Sequence, residues 1–174
     1  MTREAFIKVL EKKEYPYEIQ GNKVIVTSKT KRAVHLGPLN SLPPGVVFIN
    51  GGSVDLSSLT SLSPGVEFRN GGHVHLYSLT SLPSGVVFRN GGAVHLTSLT
   101  SLPSLPSGVE FKNRGDVILT SLTSLPSGVE FKNVGLVILK SITGDWFYKW
   151  NGNIEGIDSK RLLNKMISIG IFER

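Results

Sequence analysis

The 174-residue sequence has no cysteine, which excludes a disulfide framework, a thiolate metal site and a cysteine nucleophile. It has no uninterrupted apolar run of the length a bilayer-crossing helix needs. Its first residues, MTREAFIKVLEKKE, alternate charged and apolar side chains where a secretory signal would carry a hydrophobic stretch. Helical periodicity is also missing over residues 33–142, where no window of ten or so residues repeats at the helical period. These absences lead to the expectation of a cytoplasmic, soluble, predominantly non-helical protein with no membrane contact.

What is present is repetition. The triplet V-x-L recurs as Val34-His35-Leu36, Val54-Asp55-Leu56, Val74-His75-Leu76, Val94-His95-Leu96, Val117-Ile118-Leu119 and Val137-Ile138-Leu139, at spacings of 20, 20, 20, 23 and 20 residues. The three extra residues come from a doubled SLP in SLPSLPSGV (101–109). Each unit also carries V-x-F, so two short stretches of period-two alternation are separated by turns. One such unit has about six inward apolar side chains, too few to offset the entropy of ordering twenty residues, so it must stack on its neighbours. The pattern predicts a mainly β fold, an array of about six 20-residue coils over 33–142.

Comparison of the copies separates the positions that geometry dictates. Phe48, Phe68, Phe88, Phe111 and Phe131 predict an internal aromatic stack. Asn50, Asn70, Asn90, Asn113 and Asn133 fall where a turn is expected and suggest a left-handed residue and an amide ladder. In the Gly-Gly pair that follows, only the second place is always glycine; Arg114 and Val134 occupy the first place in later copies. Both ends read as caps. Residues 1–32 predict a helix capped by Thr2 and a hairpin turning at Gly21-Asn22. Residues 143–174 predict an aromatic cover, DWFYKW, and a helix after Asp158.

The consensus VxLxSLTSLPSGVxFxNGG resembles short leucine-rich-repeat-like solenoid proteins of bacteriophages and bacterial mobile elements. The segments MTREAFIKVLEKKEYPYEIQGNKVIVT and NIEGIDSKRLLNKMISIGIF resemble the head and tail of such arrays, so the resemblance covers nearly the whole chain. It implies an architecture and a viral or mobile-element setting without a defined activity. Ordinary leucine-rich repeats place Asn shortly after the LxL strand, whereas here Leu59, Leu79, Leu99 and Leu122 stand there and Asn follows V-x-F. A horseshoe and a two-strand β-solenoid therefore both remain open at this point.

The outward positions carry the candidate chemistry. His35, Asp55, His75, His95, Ile118 and Ile138 form one expected row, flanked by His73 and Tyr77, so that all four histidines share a strip. Three uses compete: a metal held by His73, His75 and His95, catalysis by an Asp55–His75 pair with a serine, or a recognition surface. No closed four-ligand set and no nucleophile elbow accompany these residues. The strip therefore reads as a protein-binding surface with no catalytic residues, no metal and no cofactor. In the setting the resemblance implies, the partner is a bacterial host protein, with inhibition or triggering of host defence as the outcome.

A second row, Arg69, Arg89, Lys112 and Lys132, forms a basic column that, joined by the basic N-terminal cap, would suit nucleic acid as the alternative partner. The formal charge of +6, however, sits mainly in residues 1–32, where eight basic side chains face four acidic ones. Glu67, Glu110 and Glu130 lie beside the column and are expected to neutralise it. The calcium-loop lookalike NGNIEGID has Leu162 where a bidentate glutamate is required, and GNKVIVTSKTK lacks phosphate-loop spacing.

Overall fold

A computed structural model describes residues 1–27, 32–101, 109–123, 130–132, 135–139 and 147–149. The expected C-terminal helix, the doubled SLP loop and Asn133 lie outside the described residues.

Helix α1 (Arg3–Lys12) leads into β1 (Tyr17–Gln20) and β2 (Lys23–Val26). Each following coil adds two strands: β3 (Val34–His35) and β4 (Val46–Phe48), β5 (Val54–Asp55) and β6 (Glu67–Phe68), β7 (Val74–His75) and β8 (Val87–Phe88). The series continues with β9 (Val94–His95) and β10 (Glu110–Phe111), then β11 (Val117–Ile118) and β12 (Glu130–Phe131). Last come β13 (Leu136–Ile138) and β14 (Phe147–Lys149).

The strands form two sheets. Sheet A runs β1-β2-β4-β6-β8-β10-β12 and sheet B runs β14-β13-β11-β9-β7-β5-β3. All pairings are parallel except β1 with β2 and β13 with β14. This is a two-strand β-solenoid of about five turns.

The core lies between the sheets, as the repeat dictates. Val74, Leu76, Leu79, Leu82, Val86 and Phe88 of one coil are all buried. Leu76 and Leu79 both reach inward because a turn closes between them, the Leu79 N–H donating to the Leu76 carbonyl at 3.3 Å. Phe48, Phe68, Phe88, Phe111 and Phe131 stack with ring centroids 5.1–5.3 Å apart. At the N-terminal end α1 contributes Phe6 and Leu10 to the same core. Its first turn is held by the Ala5 N–H donating to Thr2 Oγ1 at 3.2 Å.

Asparagine has a different role from the one the sequence suggests. Among the described residues Glu14 alone of the non-glycines has positive φ, so these asparagines are not left-handed turn residues. Asn50, Asn70, Asn90 and Asn113 are at most 1% exposed. Each points its amide N–H₂ at carbonyls, Asn90 at Gly92 (2.7 Å), Gly72 (3.1 Å) and Ala93 (3.4 Å). The amide thus ties its own turn to the previous rung.

Two recurring glycines, one before V-x-F and one in the pair after the asparagine, are required for different reasons. Gly45, Gly65 and Gly85 have φ near +74°, a left-handed geometry that disfavours any Cβ. Gly115 has no such φ, but a Cβ there would lie 2.5 Å from the Ala93 backbone nitrogen of the rung below. The first place of the pair is tight too where glycine stacks on glycine: a Cβ on Gly91 would lie 2.2 Å from the Gly71 carbonyl oxygen.

Candidate functional site

The ladder of sheet B sets the outer row. Its register pairs His35 with Asp55, Asp55 with His75, His75 with His95, His95 with Ile118 and Ile118 with Ile138. Alternation turns these side chains outward because Val and Leu on either side face the core. All six expected row residues are therefore consecutive rungs of one surface, about 4.8 Å apart.

The centre of the row is an aromatic cluster. The His75 and His95 rings stack at 4.9 Å between centroids, 26° from parallel. Tyr77 lies 5.4 Å from His75 and packs edge-on against His95 at 5.5 Å. The His75 Nδ1 and the Tyr77 hydroxyl are 2.9 Å apart and hydrogen bonded. His73 completes the group at 6.0 Å from both His75 and His95. Tyr77 keeps 39% of its surface exposed, whereas His75 and His95 are half-buried.

Electrostatics follow from this crowding. Burial is the main cause that lowers the pKa of His75 and His95 below the ordinary 6.5, and the neighbouring histidines lower it further. Asp55 opposes the shift at His75 and Asp116 opposes it at His95. Burial works against the charge of Asp55 itself, yet bonds from Ser57 and the His35 ring bring its pKa below the usual value. Its carboxylate accepts from the Ser57 N–H at 3.1 Å and from the Ser57 hydroxyl, with the His35 ring 3.5 Å away.

These bonds give each side chain of the strip a defined partner. Asp55 bonds Ser57 and His35, while His75 bonds Tyr77, so the two side chains weighed as a catalytic pair each have other partners. His73 has a structural bond as well: its Nδ1 accepts the Ala93 backbone N–H at 3.0 Å, which leaves the ring proton on Nε2. Stacked imidazole faces do not converge lone pairs on a point. Among the described residues no three His, Cys, Asp or Glu side chains are placed to hold a metal ion.

Sequence reasoning missed one participant, Asp116. Ser53 Oγ accepts the His73 N–H (3.0 Å), His73 accepts that of Ala93, and Asp116 Oδ1 accepts that of Leu136 (2.8 Å). A column of side-chain acceptors thus ties successive rungs. The signal was available, since Asp116 stands in the same register before V-x-L as His73.

The basic column is placed on sheet A, next to its glutamates. Arg69 pairs with Glu67, which also binds Lys23 at 3.0 Å. Glu110 binds Lys112 at 2.7 Å and lies 3.5 Å from Arg89. Lys132 is exposed at the end of the column. The Lys112 bond lowers the Glu110 pKa most; at Glu67, burial works against the lowering that Lys23 and Arg69 produce. Val47, expected outward between these charges, is only 5% exposed. It lies between Ile25 and Glu67 in the ladder, and the Lys23–Glu67 ion pair joins the strands on either side of it.

No family model, curated protein or solved structure matches the chain.

One further concavity was not foreseen. An open groove of about 670 Å³ lies at the N-terminal end, between Met1, Thr2 and Arg3, the Asn22-Lys23 segment and the turns at Pro43-Pro44-Gly45 and Pro64-Gly65. Its carboxylate, Glu67, is already committed to Lys23 and Arg69. The groove contains no histidine and is remote in register from the aromatic cluster. Among the described residues no helix is long and apolar enough to cross a membrane.

Proposed function

We propose that this is a non-enzymatic, cytoplasmic, protein-binding solenoid of phage or mobile-element origin. Residues 1–32 and 143–174 act as caps to the array at 33–142. Its partner is a bacterial host protein that docks on the outer face of sheet B, with inhibition or triggering of host defence as the result.

The observation that carries this reading is the mutual packing of His73, His75, Tyr77 and His95 on a flat, backbone-paired ladder. Side chains that hold one another in place lose little freedom on binding, and aromatic groups of mixed polarity are favoured in protein contacts. The row grades into Ile118 and Ile138, which extend an apolar edge from the cluster. Nucleic-acid binding through Arg69, Arg89, Lys112 and Lys132 is less well supported, because Glu67 and Glu110 already engage three of these cations.

The test is affinity capture from bacterial lysate with three baits: wild type, His75→Ala/Tyr77→Ala and Arg69→Ala/Arg89→Ala. The proposal expects one protein to be captured by the first and third and lost from the second. Capture that depends on the arginines and falls steeply with salt would instead support the nucleic-acid reading.

A further inference from the structure

The two sheets end differently at the N-terminal side. In sheet B, the first strand β3 has its outward His35 N–H donated to the Tyr15 hydroxyl at 2.9 Å, and Tyr15 is itself buried. That edge is stoppered. Sheet A ends in β1, which among the described residues pairs with β2 on one side only.

The hydrogen-bond parity of β1 follows from its neighbours. The Val24 N–H donates to Gly45 and the Val26 carbonyl accepts from Ile49, so both residues direct their backbone toward β4. Their cross-strand partners, Ile19 and Tyr17, must then direct theirs away from β2, into solvent. The Thr27 N–H donating to the Pro16 carbonyl fits the same alternation. Glu18, Ile19 and Gln20 are exposed, Ile19 by 49%.

We infer that β1 is a self-association edge, and that its occupant is β1 of a second copy of this chain, paired antiparallel about a two-fold axis. Parity permits two symmetric registers centred within the strand. One centred on Glu18 sets the carboxylate against its own copy, which is unfavourable. The other, centred on Ile19, sets Ile19 on Ile19 and Glu18 opposite Gln20, an apolar pair flanked by carboxylate–amide pairs. The strand is thus self-complementary in one register, as an isologous interface requires. Sheet A would then continue across the axis. This inference rests on the edge of sheet A and is independent of the function proposed for sheet B.

Sedimentation equilibrium of the full chain over a concentration series tests it. The expected weight-average mass rises from 18.9 kDa toward twice that value with concentration. The rise should be larger at higher salt, because two ends each carrying a net +4 over residues 1–32 repel. Ile19→Pro removes an outward N–H without removing a β1–β2 bond and should abolish the rise. Ile19→Lys and Ile19→Glu should each be monomeric alone and associate when mixed. A wild type that remains at 18.9 kDa throughout overturns the inference. So does a Lys/Glu mixture that fails to associate, whether or not the proline variant folds.

Discussion

Asn90→Asp is the substitution that most sharply separates hydrogen bonding from packing in this fold. The two side chains are nearly isosteric, so no cavity opens, but an amide with two N–H donors is replaced by an acid with one or none. Asn90 is fully buried, and its Nδ2 lies 2.7, 3.1 and 3.4 Å from three carbonyl oxygens. Two hydrogens satisfy at most two of these well, and the third contact is shared. The Gly92, Gly72 and Ala93 carbonyls each keep a backbone N–H, from Gly115, Gly92 and Val74, so removing both donors costs two net hydrogen bonds, about 1–3 kcal/mol. That is an appreciable part of the roughly 5–15 kcal/mol that holds a typical domain together.

The pH dependence supplies the control. An ionised carboxylate at this position would face carbonyl oxygens, so the folded state holds the acid form and raises its pKa above the unfolded value of about 3.9. The proton is bound more tightly in the native state than in the unfolded one. The stabilisation from that proton is therefore full below about pH 3.9 and is lost as pH rises through the folded pKa. The protonated acid also retains one of the two bonds. Urea unfolding followed by circular dichroism, variant against wild type at pH 4.5 and 7.5, should show a large deficit at the higher pH that narrows on acidification. A deficit under about 0.5 kcal/mol, or one independent of pH, would show that the amide does not tie the rungs.

Other perturbations test other parts of the same framework. Phe88→Ala should cost about 3–5 kcal/mol in chemical denaturation. It should exceed Phe48→Ala by about 0.5–1.5 kcal/mol, because Phe88 stacks on Phe68 and Phe111 while Phe48 stacks on Phe68 alone among the described pairs. Gly65→Ala meets no atom within 4 Å and should cost only its left-handed backbone penalty, about 1–2 kcal/mol. Gly115→Ala meets backbone at 2.5 Å and should lower the unfolding midpoint further than Gly65→Ala does. In an NMR titration His75 and His95 should protonate below the ordinary 6.5. Since the unfolded state binds those protons more readily, their contribution to stability is present above pH 6.5 and is lost as pH falls toward the depressed folded values.

Much of this architecture was legible in the residues because a strand alternates with a period of two. Val74, Leu76 and Phe88 had to face inward once V-x-L and V-x-F were aligned, and in-register stacking then fixed the outer row. Choosing between one sheet and two needed coordinates, since V-x-F is compatible with a turn as well as a strand. The asparagine role was hidden because an amide in a turn and an amide donating into a core occupy the same sequence position. Which neighbour Asp55 bonds was not legible from register alone: Ser57, two residues along the same strand edge, donates to its oxygen, and His35 approaches from the preceding rung. The burial of Val47 escaped because its neighbour in the ladder is Ile25, a residue of the N-terminal hairpin that the repeat does not encode. The groove beside Met1 arises from where α1 meets the proline turns, which no repeat pattern encodes.

The central claim, that the histidine–tyrosine face of sheet B is the contact surface, is tested most directly by chemical-shift mapping of the isotope-labelled protein with its captured partner. The account predicts perturbed resonances concentrated at residues 73–77 and 93–97 and extending toward Ile118. Perturbations confined to Arg69, Arg89 and Lys112 on sheet A, with the histidine ring signals unmoved, would contradict it.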